Sequence, residues 1–128
     1  MSQRASRLVL VVEDSGHCAE TLQIAFEALP DVEVRVCASA RTMWPILETD
    51  GARLAAVVTD LHLTEFDGFE IIRTLRQDGR FSKIPILLIS GDSDPRISQI
   101  ALSHGASAYF PKPYSPAAVR KKLEELLC

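Results

Sequence analysis

The sequence contains no apolar stretch near the ~20 residues that a membrane span requires. Its longest runs are Leu8–Val12, Leu54–Val58 and, counting one proline, Ile84–Ile89. Met1 to Arg7 is polar and lacks the apolar centre of a signal peptide. Cysteine is scarce: Cys18, Cys37 and Cys128 are odd in number and form no CxxC pair. That argues against a disulfide framework and for reduced thiols in a cytoplasmic protein. An excess of positive charge is missing too. Lys and Arg total 14 against 17 Asp and Glu, a net charge of −3, which is a poor footing for direct nucleic-acid binding. There is no low-complexity tract, no linker and no sequence repeat. A length of 128 residues leaves no room for a receptor, an ATP-consuming catalytic domain and an output domain together. A single domain over 1–128 is expected, with a core of about 8–127.

What is present is an alternation of apolar runs and amphipathic stretches. Leu8–Val12 reads as a fully buried strand. Asp14 and Ser15 offer caps, and Cys18, Leu22, Ala25, Phe26 and Leu29 follow at helical spacing until Pro30. Val32–Val36 alternates apolar and charged residues, as an edge strand does. A helix is expected from about Ala40 to Glu48, with a late start or kink at Pro45. Ala55–Thr59 is a third strand, ending at Asp60. Asp67 and Glu70 form a capping box ahead of an apolar face of Phe69, Ile72 and Leu75, and Gly79 closes that helix. Ile84–Ile89 is a fourth strand. A helix opens at Ser93-Asp94-Pro95 and closes at Gly105. Ala106–Phe110 is a fifth strand. Ser115 and Pro116 begin a last helix with Val119, Leu123, Leu126 and Leu127 inward. Five βα units predict an α/β, doubly wound, five-stranded parallel sheet with helices on both faces.

Ligands of open α/β sheets bind outside the carboxyl ends of the strands. Those ends carry Glu13 and Asp14, then Asp60, then Ser90, and finally Lys112 between Pro111 and Pro113. Each alone would pass for a helix cap or a surface residue. Together they place three carboxylates, a hydroxyl and an ammonium on one edge. Packed carboxylates repel unless a cation intervenes. An all-oxygen set selects a hard ion such as Mg²⁺, and Lys112 adds a compact charge suited to a phosphate. A carboxylate can itself accept a phosphoryl group as an acyl phosphate.

This set resembles the receiver domain of bacterial two-component response regulators. The likeness runs from about Leu8 to Leu127. It rests on Glu13-Asp14, Asp60, Ser90-Gly91, Tyr109 and Lys112-Pro113, spaced 30, 49 and 52 residues from Asp60 to Ser90, Tyr109 and Lys112. The segment Asp60 to Gly68, D-x-x-x-x-x-x-D-G, matches as well. The resemblance implies a flavodoxin-like sheet of order 2-1-3-4-5 and a phosphoryl-accepting switch rather than an enzyme. Asp60 would be the phosphoacceptor, served by a histidine kinase or phosphotransfer protein. Glu13, Asp14, Asp60 and the backbone carbonyl of His62 would hold Mg²⁺, with Mn²⁺ as an alternative. Ser90 and Lys112 would bind the phosphoryl oxygens. Tyr109 would switch with Ser90 and report to the face of the fourth helix, fifth strand and fifth helix. Lys112-Pro113 is expected to be cis. A monomer or weak homodimer is a possibility that the family carries. The acidic balance and the lack of a long apolar run lead to no expected direct nucleic-acid or membrane contact, the output partner is left open, and no output domain is expected within 1–128.

The family usually has Met-Pro where this chain has Leu63-Thr64, so a rigid turn is lost there. His62 and Asp92, each two residues past a strand-end site residue, are the positions expected to tune phosphoryl lifetime. His17 and His104 read as surface or helix-end residues, and Trp44 as a packing residue. Three rivals are weaker. Asp60-Leu61-His62-Leu63-Thr64 is similar to the D-x-D-x-T motif of haloacid-dehalogenase-like phosphatases, but His62 replaces the second Asp and the acceptor follows the third strand. A degenerate, non-phosphorylated receiver would not keep all five site residues. A flavin-binding domain needs a phosphate loop where Glu13-Asp14 would repel it.

Overall fold

The computed structural model describes residues 7–127, so the polar N-terminus before Arg7 and the Cys128 thiol lie outside the described residues. Five strands form one sheet in the order β2-β1-β3-β4-β5: β1 (Arg7–Val12), β2 (Val32–Cys37), β3 (Leu54–Asp60), β4 (Ile86–Ser90) and β5 (Ala108–Pro111). Every neighbouring pair is parallel. The helices are α1 (Gly16–Phe26), α2 (Ala40–Asp50), α3 (Gly68–Gln77), α4 (Ile97–His104) and α5 (Pro116–Leu127), with a 3₁₀ turn at Gly51–Arg53.

The two-residue period of β1 divides the core. Leu8, Leu10 and Val12 pack with Met43, Leu47, Ile72 and Leu75 of α2 and α3. Val9 and Val11 pack on the other face with Leu22 and Phe26 of α1 and Val119 and Leu123 of α5. Because β1, β3 and β4 are covered on both faces, their sequences are continuous apolar runs. Each fully buried aliphatic side chain contributes about 1.5–3 kcal/mol. Strand β2 has partners only in β1, and its alternating, half-buried residues fit the edge position.

The structure moves several boundaries. Helix α2 runs unbroken from Ala40, without the late start expected at Pro45. A reciprocal capping box between Ser39 and Thr42 fixes its first turn, and Met43 and Leu47 anchor it on either side of the proline. Helix α3 ends at Gln77, before Gly79, because Asp78 is already extended; its buried face includes Ile71, with Phe69 only partly covered. Strand β4 begins at Ile86. Pro85 cannot donate, although its carbonyl still accepts from Val57 N–H at 3.1 Å. Helix α4 begins at Ile97, since the Asp94 carboxylate takes the Arg96 N–H at 2.9 Å in a local turn. Strand β5 begins at Ala108, because Ala106 N–H is spent on Ala101 O (2.9 Å) in the left-handed cap at Gly105, φ 111°. Ser15 and Asp67 cap α1 and α3 as expected, and α5 opens at Pro116 with Ser115 Oγ accepting from Ala118 N–H.

Candidate phosphoryl-transfer site at the sheet edge

The parallel register delivers the site residues to one edge. Glu13 follows the last residue of β1, and its N–H bonds Cys37 O at 2.9 Å. Asp60 ends β3 opposite Ile89, and Ser90 ends β4 opposite Pro111. Lys112 N–H donates to Ser90 O at 2.7 Å, so the residue after β5 is locked to the end of β4. The Lys112-Pro113 bond is cis, as expected.

The carboxylates converge as the sequence implied. Ligand oxygens of Glu13, Asp14 and Asp60 all lie within 4.8 Å of one another, with Glu13 and Asp60 buried and Asp14 exposed. Lys112 Nζ donates to Glu13 Oε1 at 3.0 Å and lies 3.4 Å from Asp60 Oδ2. Burial pushes the Glu13 carboxyl above its ordinary value, against the Ser15 N–H and Lys112, which favour its anion. Burial alone would lower the Lys112 ammonium, but the Glu13 hydrogen bond and the charge of Asp60 outweigh it and hold it well above the ordinary lysine value. One ammonium against three carboxylates leaves two negative charges uncompensated, and their donors are all oxygen. That set fits a hard divalent cation in the remaining space.

Asp60 is held at both ends. Leu61 N–H donates to its Oδ1 at 2.8 Å, and its carbonyl accepts from the buried Thr59 hydroxyl at 2.8 Å. Sequence reasoning missed Thr59, which reads there as one more β-former. Gly68 was noticed only as a motif letter. A Cβ there would stand 2.5 Å from Asp60 O and 2.9 Å from Leu61 Cα, so only glycine lets α3 start against the end of β3. The missing Met-Pro does not abolish the turn after β3. Glu65 takes φ 73°, and Phe66 N–H closes onto Thr64 O at 2.8 Å.

Ser90 is fully buried, and its Oγ accepts from Asp92 N–H at 3.0 Å, which leaves the hydroxyl hydrogen unspent by that bond. His62 Nε2 and Asp92 Oδ2 meet at 2.8 Å in an exposed contact between the loops that follow β3 and β4. The sequence marked both residues but not their contact. The signal was there: each stands two residues past the end of neighbouring strands. Tyr109 lies on β5 opposite Leu88, half-buried against the α2–α4 side of the core, and burial followed by the Asp92 charge raises its hydroxyl. His104 ends α4 against the Phe69 ring at 5.3 Å, and Trp44 packs edge to face on Phe66. No metal-ligand cluster other than the three carboxylates occurs among the described residues.

Comparison with known proteins agrees with this geometry. The family model for the response regulator receiver domain matches residues 9–124. The chain is 28% identical over 119 residues to chemotaxis protein CheY1 of Helicobacter pylori, covering 93% of this chain and 95% of that one. Chemotaxis response regulator CheY4 of Vibrio cholerae superposes with a TM-score of 0.81 at 22% identity, covering 94% of this chain and 98% of that one. The manganese-bound form of response regulator Rcp1 superposes with a TM-score of 0.76 at 18% identity, covering 93% and 90%. The parallel order β2-β1-β3-β4-β5, the acidic cluster at its carboxyl edge and the family match over 9–124 make this chain a CheY-like member of the response regulator receiver domain family of two-component signalling.

Proposed function

We propose that the chain is a phosphoryl-accepting switch in which Asp60 takes a phosphoryl group from a partner histidine kinase or phosphotransfer protein. The observation that carries this reading is the placement of Lys112 Nζ between Glu13 Oε1 (3.0 Å) and Asp60 Oδ2 (3.4 Å) beside an uncompensated carboxylate cluster. The Leu61 N–H fixes Asp60 Oδ1, so Oδ2 is the attacking oxygen. It approaches phosphorus in line. The new P–O bond forms as the P–N bond of the donor phosphohistidine breaks, and the departing ring nitrogen takes up a proton. Lys112 leaves its carboxylates to pair with a phosphoryl oxygen, and the Ser90 hydroxyl donates to another. Glu13, Asp14, Asp60 and the His62 carbonyl would hold Mg²⁺, or Mn²⁺, which supplies the charge that offsets repulsion between acceptor and phosphoryl group.

The readout follows from the same bonds. Ser90 ends β4 and Lys112 follows β5, so a shift of both toward the phosphoryl group pulls on the loop before α4. Tyr109 lies beside that loop, and the α4–β5–α5 face is the output surface for a partner protein. His62 and Asp92 close the mouth of the site and set how readily water reaches the acyl phosphate. The chain's own chemistry is confined to gaining and losing that group. A cytoplasmic address fits an intracellular kinase donor, and among the described residues no helix is long and apolar enough to cross a membrane. Incubation with Mg²⁺ and acetyl phosphate tests the assignment. Wild type is expected to gain one alkali-labile phosphoryl group by mass, and Asp60→Asn none. An adduct on Asp60→Asn, or none on wild type, overturns it.

A further inference from the structure

A cavity of about 760 Å³ lies between α2 and the β3–α3 loop, away from the carboxylate cluster, with Trp44, Pro45 and Phe66 among its lining residues. That volume falls in the ~300–1,000 Å³ range of small-molecule sites. Trp44 and Phe66 stand at 82° with ring centroids 5.7 Å apart. In an edge-to-face pair the edge of one ring covers part of the other's face, so a cation would meet only the ring faces left open beside that contact, and the negative face of an aromatic ring attracts cations. Two carboxylates, Glu48 and Glu65, stand at the rim. Glu65 is occupied by the guanidinium of Arg41 at 3.1 Å, with side chains 80% and 64% exposed. Glu48 has only a distant partner, Arg80 at 3.7 Å.

The Arg41–Glu65 pair identifies the chemistry. A guanidinium already sits at the mouth of an aromatic corner and is held there by a bridge of a kind that contributes about 0–1 kcal/mol when exposed. A ligand cation with an apolar body would displace it, keep the carboxylate and add the ring contacts that Arg41 forgoes in solvent. We propose that the cavity between α2 and the β3–α3 loop binds a small organic cation, a primary ammonium or guanidinium on an apolar body, with Trp44 and Phe66 as walls, Glu48 and Glu65 as counter-charges and Arg41 as an internal competitor. The cavity is lined by Thr64, Glu65 and Phe66 of the loop that follows Asp60, but not by Glu13, Asp14, Asp60 or Lys112.

Titration with phenethylammonium tests this, read by fluorescence of Trp44, the single tryptophan, and by backbone amide shifts of Thr64–Phe66. Saturable binding near ~1 mM is expected. Phenethyl alcohol, the neutral counterpart, should bind roughly 3-fold or more weakly, as should phenethylammonium to the Glu48→Gln/Glu65→Gln double variant. Trp44→Leu, followed by the amide shifts, should remove binding. Arg41→Ala should tighten it, because the competitor is gone. Arg41 is on the helix surface, so this variant stays folded. Equal affinity for the alcohol, a lack of saturation in wild type, or Arg41→Ala that binds no better than wild type would each overturn the proposal.

Discussion

On the edge strand β2, Glu33 and Arg35 form an ion ring with Asp50 at the end of α2 and Arg53 in the 3₁₀ turn that follows, linked at 2.7 Å (Arg35–Glu33), 3.0 Å (Arg35–Asp50 and Arg53–Glu33) and 3.6 Å (Arg53–Asp50). At the carboxyl edge of the same sheet, Glu13, Asp14, Asp60 and Lys112 form a second group of four charges. The first is balanced, two acids and two bases, and half-exposed. The second has three acids and one base, and Glu13 is 2% exposed. Their ionisation differs accordingly. The Arg35 and Arg53 hydrogen bonds hold the Glu33 carboxyl below its ordinary value, and Glu33 and Asp50 raise Arg35 in return. Burial raises Glu13. The four charges of the half-exposed ring compensate one another. An acid-rich, mostly buried group is relieved by a cation, by a reaction, or by uptake of a proton, which the raised Glu13 carboxyl favours.

The contrast can be broken from either side. The largest effect is expected at the backbone that carries the buried group. Gly68→Ala drives a Cβ against Asp60 O and Leu61 Cα, with a loss of about 1–3 kcal/mol in urea unfolding and a slower phosphorylation by acetyl phosphate. Next is the lone ammonium. Lys112→Met leaves Glu13 and Asp60 together without their counter-charge, and about 1–3 kcal/mol should be lost in metal-free buffer. Arg53→Met leaves Glu33 with Arg35 and should cost under about 1 kcal/mol. Equal losses in the two variants would erase the distinction drawn between the clusters.

Smaller effects sharpen it. His62 and Asp92 meet in one bond, so under the proposed role in phosphoryl lifetime His62→Ala and Asp92→Ala should change the decay of the acyl phosphate by a similar factor, and the double variant little further. Independent, multiplying effects would show that each acts alone. The ring should also show itself in pH dependence. Glu33 is depressed below 4.5 in the folded state, so its contribution is present above the unfolded value and is lost as pH falls through the lower folded one. Glu33→Gln should therefore flatten the decline of the urea midpoint on acidification, by no more than about 1 kcal/mol given its exposure.

The fold was legible because β1, β3 and β4 are unbroken apolar runs separated by capped amphipathic stretches, a pattern that admits little besides a parallel sheet covered on both faces. Boundaries were less legible where short-range hydrogen bonds compete. Ala106 was claimed by the Gly105 cap rather than by β5, and Pro95 by a turn centred on Asp94. Pro45 showed the opposite failure. A local rule allows a late start there, and the Ser39–Thr42 capping box together with the anchoring of Met43 and Leu47 in the core lets the helix begin at Ala40 instead. At the site, Glu13, Asp14, Asp60 and Lys112 were legible from strand ends and spacing. Thr59 was not, because nothing in the sequence distinguishes a hydroxyl bonded to Asp60 O from one buried for its shape. The His62–Asp92 contact needed the register of β3 against β4.

The order of residues alone dictates which of them reach the carboxyl edge, since strand period and the parallel crossover rule leave no other destination for residues that follow apolar runs. It also determined the excess of acid over base there, because Lys112 is the only base that the pattern delivers to that edge. Packing in three dimensions places the Lys112 ammonium between Glu13 and Asp60, starts α3 one glycine away from β3, and sets Arg41 of α2 against Glu65 in the β3–α3 loop. These are distances between residues far apart in the chain. They depend on how helices pack against a twisted sheet, which the order of residues constrains but does not measure.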